Sequence, residues 1–436
     1  MSKKVHLLNL GCSKNQVDSE NILGEFSQAG ISYTETSEES DILVVNTCGF
    51  IEDAKQESID EILNLIDHKE RHQKLVVAGC LSERYREVLQ NEIPEIDLMV
   101  GTYKPAEIIQ SLGLVSASEA CELPSKRVLL GEESFHAYLK VAEGCNRTCS
   151  FCAIPGMRGK QVSRTYSDII TEAQGLQSQG IQEISLIAQD LTFYGREKNG
   201  PGSNLPELLK GLLSETDLPW IRMMYAYPAF INDDLMDLMA NEPRICSYLD
   251  MPIQHASNNM LKKMRRGHTQ ESLRKLLLSL RDNVPGIALR TTLLLGFPSE
   301  TNEDVDILHD LIEEIKFDRL GCFPYSDEEG THAAEAFPVE DLIEEDVIQD
   351  RISRIMNTQA AISLDRNESL IGEEIEVLID SEAEGSDYHF YARTQWDAPE
   401  VDNRVCILEG DATPGEFRKV KILSASEYDL EAKIID

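Results

Sequence analysis

The sequence has no long apolar run. Residues 293–295 meet Gly296 after three leucines, whereas a membrane-spanning helix needs roughly 18 or more apolar residues in succession. The apolar stretch behind Lys3 and Lys4 is short and lacks a small-residue cleavage site, which excludes a signal peptide. We therefore expect a cytoplasmic protein without membrane association.

Basic side chains are also scarce. Lysine and arginine total 41 against 77 aspartates and glutamates, which gives a net charge of −36. Such a charge repels a phosphate backbone unless a local basic patch overrides it. The hydrophobic content of 42% excludes general disorder. At roughly 150 residues per domain, 436 residues predict about three domains.

Ten cysteines occur in this chain, and in a reducing compartment clustered thiols bind metal more often than they form disulfides. Cys145, Cys149 and Cys152 lie close enough in one loop to bind three corners of a cubane cluster. Iron-sulfur clusters normally have four cysteine ligands, so the loop leaves one iron open to a small molecule. A zinc loop is the alternative, although zinc prefers paired C-x-x-C spacing.

The first 126 residues alternate β-rich runs with helical patterns, which predicts an open parallel α/β sheet. The runs at 5–10, 41–46 and 74–78 are followed by Cys12, Cys48 and Cys80, each beside a glycine. Ligands of such sheets bind beyond the carboxyl ends of the strands, so these cysteines are expected to converge on a second cluster. Alternatively, each is a small buried hydrophobic residue.

Residues 131–367 repeat the alternation on a larger scale and end in a helical linker. Six β-then-α units predict a partial (βα)6 barrel resembling a TIM barrel, with its site at the carboxyl ends of the strands. Residues 368–436 alternate apolar and polar positions and predict a small all-β, OB-like barrel. The predicted barrel strands are 137–142, 184–189, 221–227, 248–253, 289–295 and 320–325.

Several polar residues of the predicted barrel are candidates for cofactor contacts. Glu183 ends a glycine-containing segment at the start of the second strand, and Gln189 and Asp190 end that strand on the predicted catalytic face. Arg222 and Thr291 lie on later strands. A structural hydrogen-bonding role is the alternative for each of them.

The ordered motifs GCSKNQVDSE, NTCGF, AGC, EGCNRTCSFCAIPGMRGKQVSR, MPIQHAS and LLLGFPSET resemble the radical-SAM methylthiotransferases over nearly the whole chain. This resemblance implies a transferase with a cluster domain, a barrel that cleaves S-adenosylmethionine (SAM), and a TRAM β domain. It also implies two [4Fe-4S] clusters, one on Cys12, Cys48 and Cys80 and one on the catalytic trio Cys145, Cys149 and Cys152.

Within this family the opening LNLGCSKNQVDSE and the acidic segment YSDEEGT are similar to the RimO branch. That branch methylthiolates the β-carbon of an aspartate in ribosomal protein uS12. Residues 371–436 carry 17 acidic and six basic side chains, a net charge of −11, which favours a basic protein partner over RNA outside the ribosome. The resemblance also implies an electron donor such as flavodoxin or ferredoxin.

Two other functions remain open at this point. A related methylthiotransferase would modify an adenosine of tRNA (i6A or t6A) with the same chemistry. A non-enzymatic iron-sulfur scaffold or electron carrier would hold clusters without consuming SAM.

Overall fold

The computed structural model describes residues 3–102, 104–114, 127–131 and 134–436. Residue 126, where the sequence predicts the first domain boundary, and Cys121 lie outside these ranges, so the domain boundaries stay a prediction. Contacts between Cα atoms divide the chain into two compact units. The first consists of Met1–Glu132, Gly144–Asn146 and Cys152–Lys160, and the second of Glu133–Glu143, Arg147–Phe151 and Gln161–Asp436.

The first unit contains a five-stranded, all-parallel sheet in the order β2-β1-β3-β4-β5. Strand β3 is buried along its whole length, as expected for a parallel strand covered on both faces. Its elements are β1 (Lys4–Asn9), α1 (Ser13–Gln28), β2 (Ser32–Tyr33), β3 (Ile42–Thr47), α2 (Glu52–His68), β4 (Lys74–Gly79), α3 (Cys80–Arg84), α4 (Arg86–Glu92), β5 (Leu98–Met99) and α5 (Pro105–Ser111).

Successive residues of the central strands point to opposite faces of this sheet. Val44 and Val76 belong to one apolar cluster, and Leu43 and Val77 belong to another. The two clusters form the cores between the sheet and its two helical layers. The predicted open α/β sheet is therefore confirmed.

The second unit contains six parallel strands in the order β13-β12-β11-β10-β9-β6, which confirms the predicted partial barrel. Beside them, β7 and β8 form a short antiparallel pair. The strands of this region are β6 (His136–Lys140), β7 (Ala142–Glu143), β8 (Val162–Ser163), β9 (Glu183–Ile187), β10 (Trp220–Met223), β11 (Ile245–Asp250), β12 (Ala288–Leu295) and β13 (Arg319–Pro324).

Helices follow most of these strands, and their starts are fixed by side-chain caps. In α12, for example, Thr301 and Asp304 form a reciprocal capping box, which satisfies backbone N–H groups that lack partners within the helix. The helices are α6 (Ile154–Arg158), which lies in the first unit, α7 (Tyr166–Ser178), α8 (Leu205–Glu215), α9 (Asp233–Asn241), α10 (Asn258–Lys263), α11 (Gln270–Asn283), α12 (Asn302–Ile315), α13 (His332–Ala336) and α14 (Glu345–Ser369).

The end of the chain forms a closed five-stranded barrel, with strand order β14-β15-β16-β18-β17. Val377, Val405 and Val420 belong to its core, and in the strand of Val420 buried and exposed residues alternate, as the sequence pattern predicts. The strands are β14 (Glu374–Glu382), β15 (Phe390–Arg393), β16 (Val405–Glu409), β17 (Phe417–Ala425) and β18 (Leu430–Ile434).

The small barrel packs against the amino-terminal ends of the central strands. Arg319, the first residue of β13, donates from Nε to Asp397 at 2.8 Å. Trp220, the first residue of β10, lies 4.9 Å from Phe417 between ring centroids. The small barrel therefore contacts the end of the central barrel opposite to the carboxyl ends of its strands, where the cofactor site is expected. Across the described part of the chain, no helix combines the length and the apolar character needed to cross a membrane.

Candidate functional site

Three cysteines follow three neighbouring strands of the first unit. Cys12 lies just after β1, Cys48 directly follows β3, and Cys80 follows β4 as the first residue of α3. Because β1, β3 and β4 are adjacent and parallel, their carboxyl ends meet at one edge of the sheet. This arrangement is the one that the strand pattern predicts.

Glycines allow the cysteine-bearing loops to approach each other. A Cβ atom added to Gly11 would lie 2.8 Å from Cβ and 3.1 Å from Sγ of Cys48. A Cβ atom added to Gly49 would lie 2.8 Å from the Cα of Leu81, the residue after Cys80. Any larger side chain at either glycine would push the cysteine loops apart.

Asn15 of α1 fixes the first two loops to each other. Its Nδ2 donates to the carbonyl oxygen of Leu10 at 2.9 Å and to that of Thr47 at 3.0 Å. These carbonyls lie close in sequence to Cys12 and Cys48, respectively. The side chain of Asn15 is fully buried, so the contact is shielded from water.

The guanidinium of Arg158 binds next to these cysteines, within the first unit. Its Nε donates to Cys80 Sγ at 3.3 Å, its Nη1 donates to Asp18 Oδ2 at 3.0 Å, and its Nη2 donates to Asn15 Oδ1 at 2.5 Å. Burial raises the pKa of Cys80 to about 12, although Arg158 acts in the opposite direction. A coordinated metal deprotonates thiols that would otherwise stay neutral, so this donor set fits a metal cluster.

The spacing of these thiols does not match that of a single zinc ion. Among the described residues, one set of three Cys, His, Asp or Glu side chains has all its ligand atoms within 4.8 Å of one another. This set is His309, Asp310 and Glu313. At least one pair of the strand-end thiols is therefore more than 4.8 Å apart. Ligands that bind one zinc at about 2.3 Å would be closer together.

Cys145 and Cys152 also belong to the first unit. The backbone N–H of Cys145 donates to the carbonyl oxygen of Gly159 at 3.0 Å. Gly144 adopts a φ of +77°, and a Cβ atom there would lie 2.4 Å from the carbonyl oxygen of Lys160. The start of the cysteine loop is thus closely packed against the segment that follows Cys152.

Cys149 lies in the second unit and accepts a hydrogen bond from a buried arginine. Arg266 donates from Nη1 to Cys149 Sγ at 3.2 Å and from Nη2 to the carbonyl oxygen of Pro252 at 2.6 Å. The ring of Tyr227 contacts both Arg266 and Arg147, whose Cζ atoms are 4.5 Å and 3.9 Å from its centroid. Cation–π contact of this kind holds both guanidinium groups in place.

Gln189 and Asp190 lie beyond the carboxyl end of β9, as predicted. Gln189 Nε2 donates to Glu143 Oε1 at 2.8 Å, and Lys140 Nζ donates to Glu143 Oε2 at 2.7 Å. Asp190 Oδ2 accepts from Arg147 Nε at 2.6 Å. These residues form a charged, hydrogen-bonded cluster on the side of the barrel where its site is expected.

Glu183 and Arg222 lie at the opposite end of the barrel. Glu183 accepts from Arg222 Nε at 2.6 Å and from Arg393 Nη1 at 2.7 Å. Both Glu183 and Arg222 are fully buried. Their charges are used in joining the small barrel to the central one, which does not support the cofactor contacts that we expected of them.

The hydroxyl of Thr291 is likewise used in hydrogen bonds to the backbone. Its hydroxyl donates to the carbonyl oxygen of Met251 at 2.9 Å and accepts from the N–H of Ile253 at 3.2 Å. The side chain is fully buried on β12. Its position supports the structural alternative.

Sequence reasoning did not predict the contacts of Arg266, Arg147 and Glu143. Arg147 and Glu143 lie in and beside the cysteine loop, and their closeness in sequence to Cys145 was an available signal. Arg266 lies 117 positions from Cys149, and no local spacing points to it.

Three family models match successive parts of the chain. The model described as "Uncharacterized protein family UPF0004" matches residues 4–101, the radical SAM superfamily model matches residues 139–312, and the TRAM domain model matches residues 371–435. This order is the one observed in the fold.

Solved structures share the fold at low sequence identity. The radical SAM methyltransferase TsrM from Kitasatospora setae, with cobalamin and a [4Fe-4S] cluster bound, is 16% identical, covers 74% of this chain and 72% of its own, and has a TM-score of 0.53. The cobalamin-dependent SAM radical enzyme OxsB is 14% identical, covers 83% of this chain and 56% of its own, and has a TM-score of 0.52.

The fold and the cysteine loop define a radical-SAM enzyme, which uses an iron-sulfur cluster and SAM. Among curated relatives, the ribosomal protein uS12 methylthiotransferase RimO of Flavobacterium johnsoniae is 45% identical and covers 98% of this chain and 97% of its own. That of Geobacter sulfurreducens is 42% identical and covers 99% of each. The chain belongs to the RimO family of methylthiotransferases.

Proposed function

We propose that this protein replaces a carbon–hydrogen bond at the β-carbon of an aspartate in ribosomal protein uS12 with a carbon–SCH3 bond. It uses two [4Fe-4S] clusters for this reaction. Cys145, Cys149 and Cys152 hold the cluster that binds SAM, and Cys12, Cys48 and Cys80 hold the second. The observation that carries the proposal is the meeting of three strand-end cysteines in a chain that also has the radical-SAM loop.

The reaction needs a radical because the hydrogen at this carbon is not acidic enough for a side-chain base. The cluster and SAM, when bound, supply the one-electron chemistry that yields a carbon radical. The protein's own residues hold the reactants. Gln189 and Asp190, at the carboxyl end of β9, are our candidates for contact with SAM, and Glu143 and Arg147 fix their orientation.

The acidic surface supports a basic protein as the substrate. Asp327 and Glu329 are exposed just beyond the carboxyl end of β13, and Phe323 near the end of that strand is 52% exposed. Exposed acids beside an aromatic side chain fit a lysine- and arginine-rich ribosomal protein. They fit a phosphate backbone poorly.

The small barrel gives further support against RNA as the substrate. The exposed lysines of β17, Lys419 and Lys421, face Glu376 and Glu374 of β14 in the strand register. Cross-strand pairs of opposite charge stabilise the sheet. They also leave these lysines less available to phosphate.

The net charge of −11 nevertheless overstates how acidic the surface of this barrel is. Asp397 and Asp402 accept hydrogen bonds from Arg319 and Arg290 of the central barrel. Asp380 pairs with the buried Arg393. These acids stabilise the fold and do not attract a partner.

The test is anaerobic incubation of the reconstituted protein with reductant and SAM labelled in its methyl group. One reaction contains a uS12 peptide with the aspartate, a second contains the same peptide with alanine there, and a third contains tRNA. We expect a labelled methylthio group on the aspartate peptide alone, detected by mass spectrometry. Label on tRNA alone would establish the tRNA enzyme instead.

Cysteine variants separate the two clusters in the same assay. Cys145→Ala is expected to abolish 5′-deoxyadenosine formation. Cys80→Ala is expected to retain 5′-deoxyadenosine formation and lose methylthiolation. Cys406→Ala, which alters a buried cysteine of the small barrel, is the matched control and should retain both products. A scaffold or electron carrier would form neither product.

We also propose a small one-electron protein, flavodoxin or ferredoxin, as the reductant. The cluster needs single electrons, and both classes deliver them. Replacing the chemical reductant with reduced flavodoxin or ferredoxin should sustain product formation. If neither protein does so, this part of the proposal is wrong and the rest is unaffected.

A further inference from the structure

We propose that Arg158 and Arg266 are a matched pair of positioning residues, one for each cluster. Arg158 holds the sulfur of Cys80, and Arg266 holds the sulfur of Cys149. Each cluster then has one thiolate ligand that accepts a hydrogen bond from a guanidinium group. This inference rests on the proposed function, because it assumes a cluster on each cysteine trio.

The contacts of Arg158 point to this role. Its side chain is 2% exposed, and its three donor groups contact Cys80 Sγ, Asp18 Oδ2 and Asn15 Oδ1. Asp18 neutralises the single charge of Arg158, so the pair is neutral as a whole. A negatively charged cluster at the cysteines would still lie beside the positively polarised Nε–H, whose direction is fixed by the two other partners.

Arg158 also connects the two cysteine motifs along the chain. It is the last residue of α6, which begins two residues after Cys152. The segment that supplies a ligand to the SAM-binding cluster thus donates a hydrogen bond to a ligand of the other cluster. Both Cys152 and Cys80 belong to the first compact unit.

Arg266 has the corresponding arrangement in the second unit. It is 5% exposed, and its Nη2 is held by the carbonyl oxygen of Pro252 at 2.6 Å. The ring of Tyr227 covers one face of the guanidinium at 4.5 Å. These contacts direct Nη1 to Cys149 Sγ at 3.2 Å.

A hydrogen bond to a ligating sulfur changes the reduction potential of a cluster. The reduced cluster carries one more negative charge, so a cationic donor stabilises it more than the oxidised form. Loss of the arginine is expected to make the cluster harder to reduce. Lysine does not replace the planar fork of arginine at such a site.

The experiment measures each cluster alone in the full-length chain. In one background Cys145, Cys149 and Cys152 are all alanine, which leaves the second cluster. In the other Cys12, Cys48 and Cys80 are all alanine, which leaves the SAM-binding cluster. Arg158→Lys and Arg266→Lys are placed in both backgrounds, and the midpoint potential is followed by EPR-monitored titration.

We expect a crossed result. Arg158→Lys should lower the reduction equilibrium constant of the second cluster about tenfold, which is 59 mV for a one-electron couple, and leave the SAM-binding cluster unchanged. Arg266→Lys should do the reverse. Equal potentials in variant and parent, in the background that keeps the cluster assigned to that arginine, would overturn the assignment.

Further variants separate a loss of position from a loss of fold. Arg158→Met is paired with Asp18→Asn, so that no buried carboxylate is left without its cation, and this double variant should shift the potential of the second cluster as Arg158→Lys does. Arg127→Met, which breaks another buried pair of the first unit with Glu20, and Arg244→Met, which removes a cap on backbone carbonyls of the second, are the controls and should leave the potentials unchanged. Shifts in Arg127→Met or Arg244→Met as large as those of the arginine variants would also overturn the proposal.

Failure of the proposed function gives a different result. If the parent chain with Cys12, Cys48 and Cys80 intact binds no iron there, the two-cluster proposal fails, and the role of Arg158 fails with it. If the parent binds iron and only the arginine effect is missing, the proposed function stands and this inference is wrong.

Discussion

The carboxylate of Glu183 accepts a hydrogen bond over 2.7 Å from Nη1 of Arg393, a residue 210 positions later in the chain. Glu183 begins β9 of the central barrel, and Arg393 ends β15 of the small barrel. Both side chains are buried, with exposures of 0% and 6%. The small barrel is therefore joined to the central one by buried charge as well as by apolar contact.

Removal of Arg393 should destabilise the protein strongly. Arg393→Met leaves Glu183 and Asp380 short of a cation inside the protein, and breaking a buried ion pair costs about 3–5 kcal/mol. Arg274→Met, which breaks an exposed pair with Glu314, should leave the free energy of unfolding nearly unchanged, because water screens exposed ion pairs. Chemical denaturation of the cluster-free protein measures both. Similar small losses would show that the buried pair does not stabilise the fold.

The same carboxylate should give the protein an acid-sensitive stability. Burial opposes ionisation of Glu183, but Arg222 and Arg393 outweigh it and hold its pKa at about 2, against an ordinary value of 4.5. Because the folded-state pKa is depressed, the stabilisation is present above pH 4.5 and is lost as the pH falls toward 2.

The advantage of the parent over Glu183→Gln should therefore shrink by about 3 kcal/mol across that interval, at 1.36 kcal/mol per pKa unit. Unfolding free energies of the two cluster-free proteins at several pH values test this. Parallel pH profiles for the two proteins would contradict the assignment.

Gly11 should be essential for the N-terminal cysteine trio. Gly11→Ala places a Cβ atom 2.8 Å from that of Cys48, at a φ of +91°. Gly30→Ala is the matched control, because its φ is +76° and no heavy atom lies within 4 Å of the new Cβ. Both variants have a left-handed backbone cost of about 1–2 kcal/mol. Only Gly11→Ala should lower the iron bound per chain, and equal iron in both would show that the contact is unimportant.

Gly144 offers the same comparison at the SAM-cleaving loop. Gly144→Ala places a Cβ atom 2.4 Å from the carbonyl oxygen of Lys160, whereas Gly286→Ala, at a φ of +70° before β12, meets nothing within 4 Å. We expect Gly144→Ala to displace Cys145 and reduce 5′-deoxyadenosine formation at least tenfold, about 1.4 kcal/mol in activation free energy. Gly286→Ala should stay within a few-fold of the parent. Equal rates for the two variants would contradict a tightly packed loop.

The sequence pattern predicted most of the fold because strands and helices repeat with different periods. The predicted runs 5–10, 41–46 and 74–78, each followed by a cysteine, correspond to β1, β3 and β4, and the predicted bounds of all six central strands lie within a few residues of the observed ones. Strands β2 and β5 were missed, since two residues are too few to show a period. The apolar alternation after residue 370 predicted the small barrel.

The site was predicted less completely, for a physical reason. Cysteine ligands can be predicted from their spacing and from their positions at strand ends. The partner of a buried charged side chain depends on tertiary contacts, which the local sequence does not show. Glu183 was a candidate for cofactor binding because it is the acid that ends a glycine-containing segment at the start of a barrel strand, and Arg222 because it is a charged residue on a later strand. Glu183 is the first residue of β9, and strand polarity alone places it at the end opposite the site. No local sequence pattern indicates that Arg266 contacts Cys149, which lies 117 positions away.

The central claim is that each cysteine trio holds its own cluster. Iron content and Mössbauer spectra of anaerobically reconstituted protein test it, with three proteins compared: the parent, the variant with Cys12, Cys48 and Cys80 replaced by alanine, and the variant with Cys145, Cys149 and Cys152 replaced by alanine. We predict that each variant keeps one four-iron cluster and half of the parent's iron. A variant that loses all iron, or a parent with no more iron than either variant, would contradict the account.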